Sequence, residues 1–257
     1  MTLREDLLER AGTLFERDGR LLTLPAEGKA VFVGDTHGDL EATERVFSRY
    51  RRKPFRIVFL GDYVDRGSHS EENVTCLLEA KCESPDEVFL LAGNHEGFMA
   101  REFYPANFWI SRSEEERQAY GRLFSSLPLV AASENGILAL HGGLPDVAEL
   151  ESVREIEWGD AQWERVVWGD FVEEEGEFLG NWGGRPQLGR SYFERLMKQL
   201  KRRILVRSHQ PHAPRFMFNK RCVTIFTSRA YLPMRTLLIA DLGKGIRTAD
   251  DVTLEAI

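Results

Sequence analysis

From Leu3 onward, Leu7, Leu8, Ala11, Leu14 and Phe15 recur at three- and four-residue spacing, the interval that puts apolar side chains on one face of a helix. A helix over residues 1–20, packed on the rest of the chain by that face, is expected. Three apolar runs of strand length follow, Ala30–Val33, Ile57–Leu60 and Val88–Leu91, each leading into a Gly-Asp or Gly-Asn pair that reads as a turn. The stretches between them, Asp39–Tyr50 and Ser70–Lys81, are charged and periodic. Helices there make βαβ units with parallel strands. Polar residues directly after such strands lie at the carboxyl edge of the sheet, where open α/β sheets bind ligands. Further on, Gly136–Leu140, Ile204–Arg207, Cys222–Phe226 and Leu237–Ala240 read as strands and Arg190–Lys201 as a helix. The expectation is an α/β fold with a second sheet packed on the first and helices outside. The acidic run Glu173–Glu177 reads as a solvated loop, and no repeat or linker interrupts the pattern.

With 257 residues, 42% of them apolar, the chain can bury a sizeable core as a single domain over residues 1–257. Basic residues number 34 and acidic residues 41, a net charge of -7, so no global field draws in nucleic acid or anionic lipid. The first ten residues are too charged for a secretory leader, and no apolar run approaches the roughly 18 residues that span a bilayer. A cytoplasmic protein is expected, with no membrane or nucleic-acid partner. Cys76, Cys82 and Cys222 are scattered and odd in number, which suits reduced structural thiols better than a zinc site or a disulfide framework.

Chemistry gathers in the turns. Asp35 and His37 in GDTHGD, Asp62 and Asp65 in GDYVDRG, Asn94 and His95 in GNHE, His141 in HGG and His209 in RSHQ each follow an apolar run. Any one of them alone would pass for an ordinary turn residue or a structural histidine. Four of the six histidines in Gly-rich strand-end turns with Asp or Asn would, as structural residues, each need a buried partner at one edge. Carboxylate, amide oxygen and imidazole are the donors expected around manganese, iron or zinc. A carboxylate that bridges two such ions would let them acidify a shared water and polarise a phosphoryl oxygen.

In this order, GDTHGD, GDYVDRG, GNHE and HGG resemble the signature of the phosphoprotein phosphatases, a serine/threonine phosphatase family of the calcineurin-like metallophosphoesterases. The resemblance continues through RSHQ and more weakly through TIFTSRAYLP, and so covers about Lys29–Leu242. It implies two packed mixed sheets flanked by helices and two divalent metal ions, manganese first and iron or zinc as alternatives. Asp35 and His37 would bind the first ion, Asp62 would bridge, and Asn94, His141 and His209 would bind the second. The implied reaction is hydrolysis of phosphoserine and phosphothreonine, with phosphotyrosine if the site is shallow, by a hydroxide that bridges the metals.

Expulsion of an alkoxide calls for a proton donor, and His95 is placed for it. Asp65 would orient the ring and raise its protonated fraction by a charge-assisted hydrogen bond. Arg66 suits bidentate contact with phosphate; Arg207 matches a position beside the last ligand, to serve phosphate or a carboxylate, and Tyr231 falls near the substrate. Two departures stand out. NWGG at 181–184 replaces the family's Asn-Asp-Arg-Gly segment, leaving Arg185 or Arg190 to supply a second phosphate arginine. The aromatic stretch with Phe98, Phe103, Tyr104, Phe108 and Trp109 is also unlike the eukaryotic members and reads first as core. Phosphoproteins are the expected partners. A dinucleoside polyphosphate or other nucleotide is the alternative substrate, which basic clusters such as Arg51–Lys53 or Lys201–Arg203 would favour if they flank the site. A catalytically dead binding module would have lost a ligand or His95, and none is missing.

Overall fold

Along Lys29–Val33, alternate side chains go to different cores: Ala30 and Phe32 join one apolar cluster, Val31 and Val33 another. Phe55–Phe59 repeats the division, with Val58 in the first cluster and Ile57 and Phe59 in the second. Strands covered on both faces read as unbroken apolar runs rather than as an alternation, which is why these segments stand out in the sequence. The computed structural model describes residues 3–231 and 233–257; Met1 and Thr2, at the start of the expected first helix, and Leu232, within TIFTSRAYLP, lie outside the described residues.

The elements run α1 (Leu3–Asp18), β1 (Leu21–Thr23), β2 (Lys29–Val33), α2 (Leu40–Tyr50), β3 (Phe55–Phe59), α3 (Ser70–Glu83), β4 (Val88–Leu90), α4 (Asn107–Ile110), α5 (Glu114–Ser125), β5 (Val130–Ala132), β6 (Ile137–Leu140), α6 (Ala161–Trp168), β7 (Asp170–Phe171), β8 (Phe178–Trp182), β9 (Arg185–Leu188), α7 (Arg190–Gln199), β10 (Ile204–Arg207), β11 (Phe216–Met217), β12 (Cys222–Thr224), β13 (Thr236–Asp241) and β14 (Thr253–Ala256). One mixed sheet has the order β14-β13-β2-β3-β4 and the other β1-β5-β6-β10-β12-β11. Phe32, Val58, Ala139, Val206, Val223 and Leu238 from the two sheets share one cluster, the filling of a sandwich. The outer cluster takes in Ala11 and Phe15 of α1, so the first helix packs by the face its spacing predicts.

Strands β2, β3 and β4 are parallel, as the two βαβ units require. Asp39 starts α2 by accepting the backbone N–H of Ala42, which ties the helix to the end of the GDTHGD turn. The second half differs from expectation in one assignment. Leu237–Ala240, within β13, pairs antiparallel with β2 and so belongs to the first sheet, not the second. Residues 170–188 add a small third sheet, β7-β9-β8, whose hairpin carries the NWGG segment. The run Glu173–Glu177 is a loop with its four glutamates exposed.

Candidate metal centre

Both sheets end in their ligand-bearing turns at one edge, where the backbones are stitched together. Asp35, just past β2, bridges to Phe226 beyond β12. A Cβ on Gly34 would lie 2.3 Å from the carbonyl oxygen of Ile225, so only glycine allows that approach. The Asp62 carbonyl accepts from the amides of Thr36 and His37, and Asn73 Nδ2 donates to Thr36 Oγ1 and to the Tyr63 carbonyl. The backbones of His37, Asp62, Asp65, Arg66 and His209 all have positive φ. Non-glycine residues in that conformation are strained by about 1–3 kcal/mol each and persist only where their surroundings hold them; here the turn network does so.

Six side chains converge: Asp35, His37, Asp62, Asn94, His141 and His209, each no more than 3% exposed. His37 Nε2 lies 3.6 Å from Asp35 Oδ2 and 3.5 Å from Asp62 Oδ2. His141 Nε2 lies 3.4 Å from Asp62 Oδ1, 3.2 Å from Asn94 Oδ1 and 3.1 Å from His209 Nδ1. Two donors each about 2.1 Å from one ion, at an angle of about 90–110°, sit about 3.0–3.4 Å apart, so these separations suit a shared metal. Asp62 faces both sets, with one oxygen toward His37 and the other toward His141.

Hydrogen bonding strengthens the case. His37 Nδ1 donates to the Val64 carbonyl at 2.8 Å, and His141 Nδ1 to the Leu60 carbonyl at 2.9 Å. Each bond turns the Nε2 lone pair of a neutral ring into the site. His209 points its Nε2 toward Asp170 Oδ1, 3.4 Å away, so its Nδ1 lone pair meets that of His141. Facing lone pairs, beside two carboxylates and an amide oxygen, call for a cation between them. The histidines register the same need. Burial would lower the pKa of His37, but Asp35 and Asp62 push it up to about 9. His209, buried and near Arg185, is held well below the usual range and stays neutral.

His95 Nδ1 is 2.7 Å from Asp65 Oδ2, while Asp65 Oδ1 accepts from the amide of Phe108. The ring is fixed edge-on to His37 and to Phe103, at centroid distances of 4.7 and 4.6 Å. The expected gain in protonation is not what the surroundings produce. Burial outweighs the Asp62 and Asp65 charges and lowers the pKa of His95 below its ordinary value. Asp65 orients the ring and raises its pKa, as expected, but by less than burial lowers it.

Arg66 is exposed at the mouth, stacked over Tyr231 at 5.7 Å, and Tyr231 stands 5.5 Å from the His37 ring. These residues line a cleft of about 770 Å³ beside the cluster. Arg207 departs from the expected phosphate or carboxylate contact. It is wholly buried, and its guanidinium bonds to Gln210 Oε1 at 2.7 Å and to the Gly169 carbonyl, which leaves it a brace beneath the His209 turn. Arg190 is occupied by Glu173 and Glu175. Arg185 stands beside Asp170 and 5.8 Å over the Trp168 ring, next to His209. Of the aromatic stretch, Phe98, Phe108 and Trp109 are core, Phe103 abuts His95, and Tyr104 is 71% exposed.

Two residues of the site had no role assigned from sequence. Glu96, inside GNHE, accepts three backbone N–H groups, from Asp62, Tyr63 and Gly93, and so locks two ligand turns together. Asp170, on β7, sets its carboxylate 3.4 Å from His209 Nε2 without a hydrogen bond, and only the Trp-Gly that precedes it hints at a turn. The glycines of HGG let the His141 turn lie on the last turn of α6, with Gly142 and Gly143 N–H donating to the Val166 and Arg165 carbonyls.

Comparison with known proteins agrees with this geometry. A family model described as calcineurin-like phosphoesterase matches residues 28–213. The chain is 27% identical over 240 residues to a probable serine/threonine-protein phosphatase of Encephalitozoon cuniculi, covering 88% of this chain and 52% of that one. It is 28% identical over 222 residues to the serine/threonine-protein phosphatase 6 catalytic subunit of Drosophila melanogaster, covering 81% and 73%. It thus spans about half the length of the first relative and about three quarters of the second. Among solved structures, a protein serine/threonine phosphatase from Saccharomyces cerevisiae superposes with a TM-score of 0.83 at 23% identity, over 98% of this chain and 88% of that one.

Proposed function

The chain belongs to the calcineurin-like phosphoesterase family, and on that premise we propose that it is a metal-dependent protein phosphatase that hydrolyses phosphoserine and phosphothreonine, with phosphotyrosine as a further substrate. The carrying observation is the set of lone pairs converging on Asp62 and His141 beside an exposed arginine. Asp35, His37 and Asp62 would hold one ion, and Asp62, Asn94, His141 and His209 the other. Manganese suits this thiolate-free mixture of oxygen and nitrogen donors. Two bound ions supply a nucleophile from water near neutral pH and draw charge off the phosphoryl oxygens.

The chain's own residues do the rest. Arg66 grips the phosphate from the Tyr231 side, and Arg185, on the His209 side, is the second arginine. His95, held through Nδ1 by Asp65, turns Nε2 toward the site, 4.0 Å from Asp62 Oδ2, and gives its proton to the departing alkoxide. Burial, which lowers the pKa of His95, makes its protonated ring a stronger acid. Phosphoprotein substrates and a cytoplasmic setting complete the reading; the names of the relatives support the first and the free thiols of Cys76, Cys82 and Cys222 support the second.

The test is hydrolysis of an aryl phosphate, a phosphoserine peptide and a dinucleoside tetraphosphate by metal-stripped protein, with and without added Mn²⁺. Manganese-dependent cleavage of the peptide well above the dinucleotide is expected. Preference for the dinucleotide would move the substrate to nucleotides, and no metal-dependent cleavage of any of the three would defeat the catalytic reading.

A further inference from the structure

The basic run Lys201–Arg203 does not serve the metal centre. It lies at the start of β10, whereas His209 lies past its end, about 20 Å away at roughly 3.3 Å per residue. There it helps to line a second cavity, of about 790 Å³, with Lys198, Arg221 and Arg247. These cations come from the last turn of α7, the loop after it, the turn before β12 and the loop after β13. The carboxyl end of a helix attracts cations, which accounts for Lys198 and its neighbours but not for Arg221 and Arg247.

The protein neutralises them only in part: Glu194 lines the same cavity, and Glu151 acts on Arg202 and Asp251 on Arg247 without a direct side-chain pair. Among the described residues, the side chains of Lys198, Lys201, Arg203 and Arg247 have no ion pair or hydrogen bond to the protein. Arg202 Nε is buried without a partner. Arg221 Nε donates to the Arg203 carbonyl while its guanidinium stacks 5.6 Å over Phe193. The acids at hand are engaged elsewhere: Glu194 with Arg190, Asp250 with Lys220, Glu151 with Arg154, and Asp251 with the amides of Arg247 and Thr248. In a chain of net charge -7, six like charges around one hollow repel one another unless an anion enters. Four of the six are arginines, whose planar forks match phosphate oxygens two at a time.

We propose that this cavity binds a ligand carrying several phosphate groups, at a site separate from the metal centre. The shared chemistry is a chain or cluster of phosphates, whether on a nucleoside triphosphate or on a multiply phosphorylated protein segment. The probe is inorganic tripolyphosphate, titrated into the metal-loaded protein at constant free Mn²⁺ during lysine acetylation read by mass spectrometry. Saturable protection of Lys198 and Lys201, with Lys29 and Lys244 unprotected, is expected. The double variant Arg203→Gln/Arg247→Gln should need about tenfold or more tripolyphosphate for the same protection, and Arg66→Ala the same amount as the native protein. Hydrolysis of an aryl phosphate should be unchanged in the double variant, which reports its folding.

A nucleoside triphosphate and a doubly phosphorylated peptide, titrated in parallel, assign the source by which protects at the lower concentration. No saturable protection, or protection equal in the double variant, would overturn the site. Protection by tripolyphosphate and by neither biological ligand would reduce it to an adventitious ion only.

Discussion

Replacing Asp170 with Asn tests how the metal centre is oriented. His37 and His141 are turned by hydrogen bonds to backbone carbonyls, which no substitution removes, whereas His209 Nε2 makes no hydrogen bond and faces the Asp170 carboxylate at 3.4 Å. Asn keeps the volume, removes the charge that favours the Nε2–H tautomer and weakens the pull on the ring. Loss of such an outer partner costs about 10–100-fold in metal affinity, or about 1.4–2.7 kcal/mol. The 3.4 Å separation, and the sharing of Asp170 with Arg185 and Gln187, argue for the lower end. Metal-stripped Asp170→Asn should therefore need about tenfold more Mn²⁺ for half-maximal aryl phosphate hydrolysis, with kcat at saturating Mn²⁺ within a few-fold of native. Equilibrium dialysis should show the same shift in one of two sites. An unchanged manganese requirement would refute the orientation argument, and a fall in kcat alone would assign Asp170 to Arg185 instead.

His95→Ala should slow an alkyl phosphate about 10²–10³-fold and an aryl phosphate far less, because phenolate leaves with little help; equal losses would exclude a proton-donating role. Arg66→Ala and Arg185→Ala should each lower kcat/KM on both substrates with metal content intact, as measured by elemental analysis; metal loss would make either arginine structural. Gly93→Ala would set a methyl 2.3 Å from Asp62 Oδ1, so purified protein should carry little metal at equal yield, and native metal content would contradict that crowding. Lys81→Ala removes the buried partner of the Asp18 carboxylate under α1 and leaves it paired with the more exposed Arg17, a loss of about 2–3 kcal/mol. Calorimetry should show a lower Tm, with the activity of the remaining folded protein unchanged, and no shift would mean that Arg17 alone holds Asp18.

The sequence was most informative where one short segment carries both the turn and its chemistry. GDTHGD, GDYVDRG, GNHE, HGG and RSHQ place their side chains within a few residues of a strand end, so convergence follows once the strands are parallel. Residues whose roles depend on distant pairing were harder to read. Asp170 meets His209 only because β7 joins β9 and the loop after β10 folds over it. β13 looks like any apolar strand, and its membership of the first sheet depends on a register with β2 that no local pattern encodes. Arg207 and Arg66 are the same residue type beside a ligand, yet one is sealed under Phe171 and the other open to solvent; burial, which decides between them, is a property of the whole fold. The Lys201–Arg203 run was legible as charge but not as position, since its distance from the centre is set by the direction of β10.

The antiparallel pairing of β13 with β2 fixes an order of events during synthesis. A ribosome delivers His209, the last ligand, before any residue of β13 has been made. At that moment the nascent chain holds every group of the metal centre, but β2, whose end carries Asp35 and His37, still has one row of backbone N–H and C=O groups without a strand beside it. Such an edge invites pairing with other chains. Until residues 236–241 are translated, that edge of the newborn protein stays open to capture by neighbours, and a chaperone would protect it there.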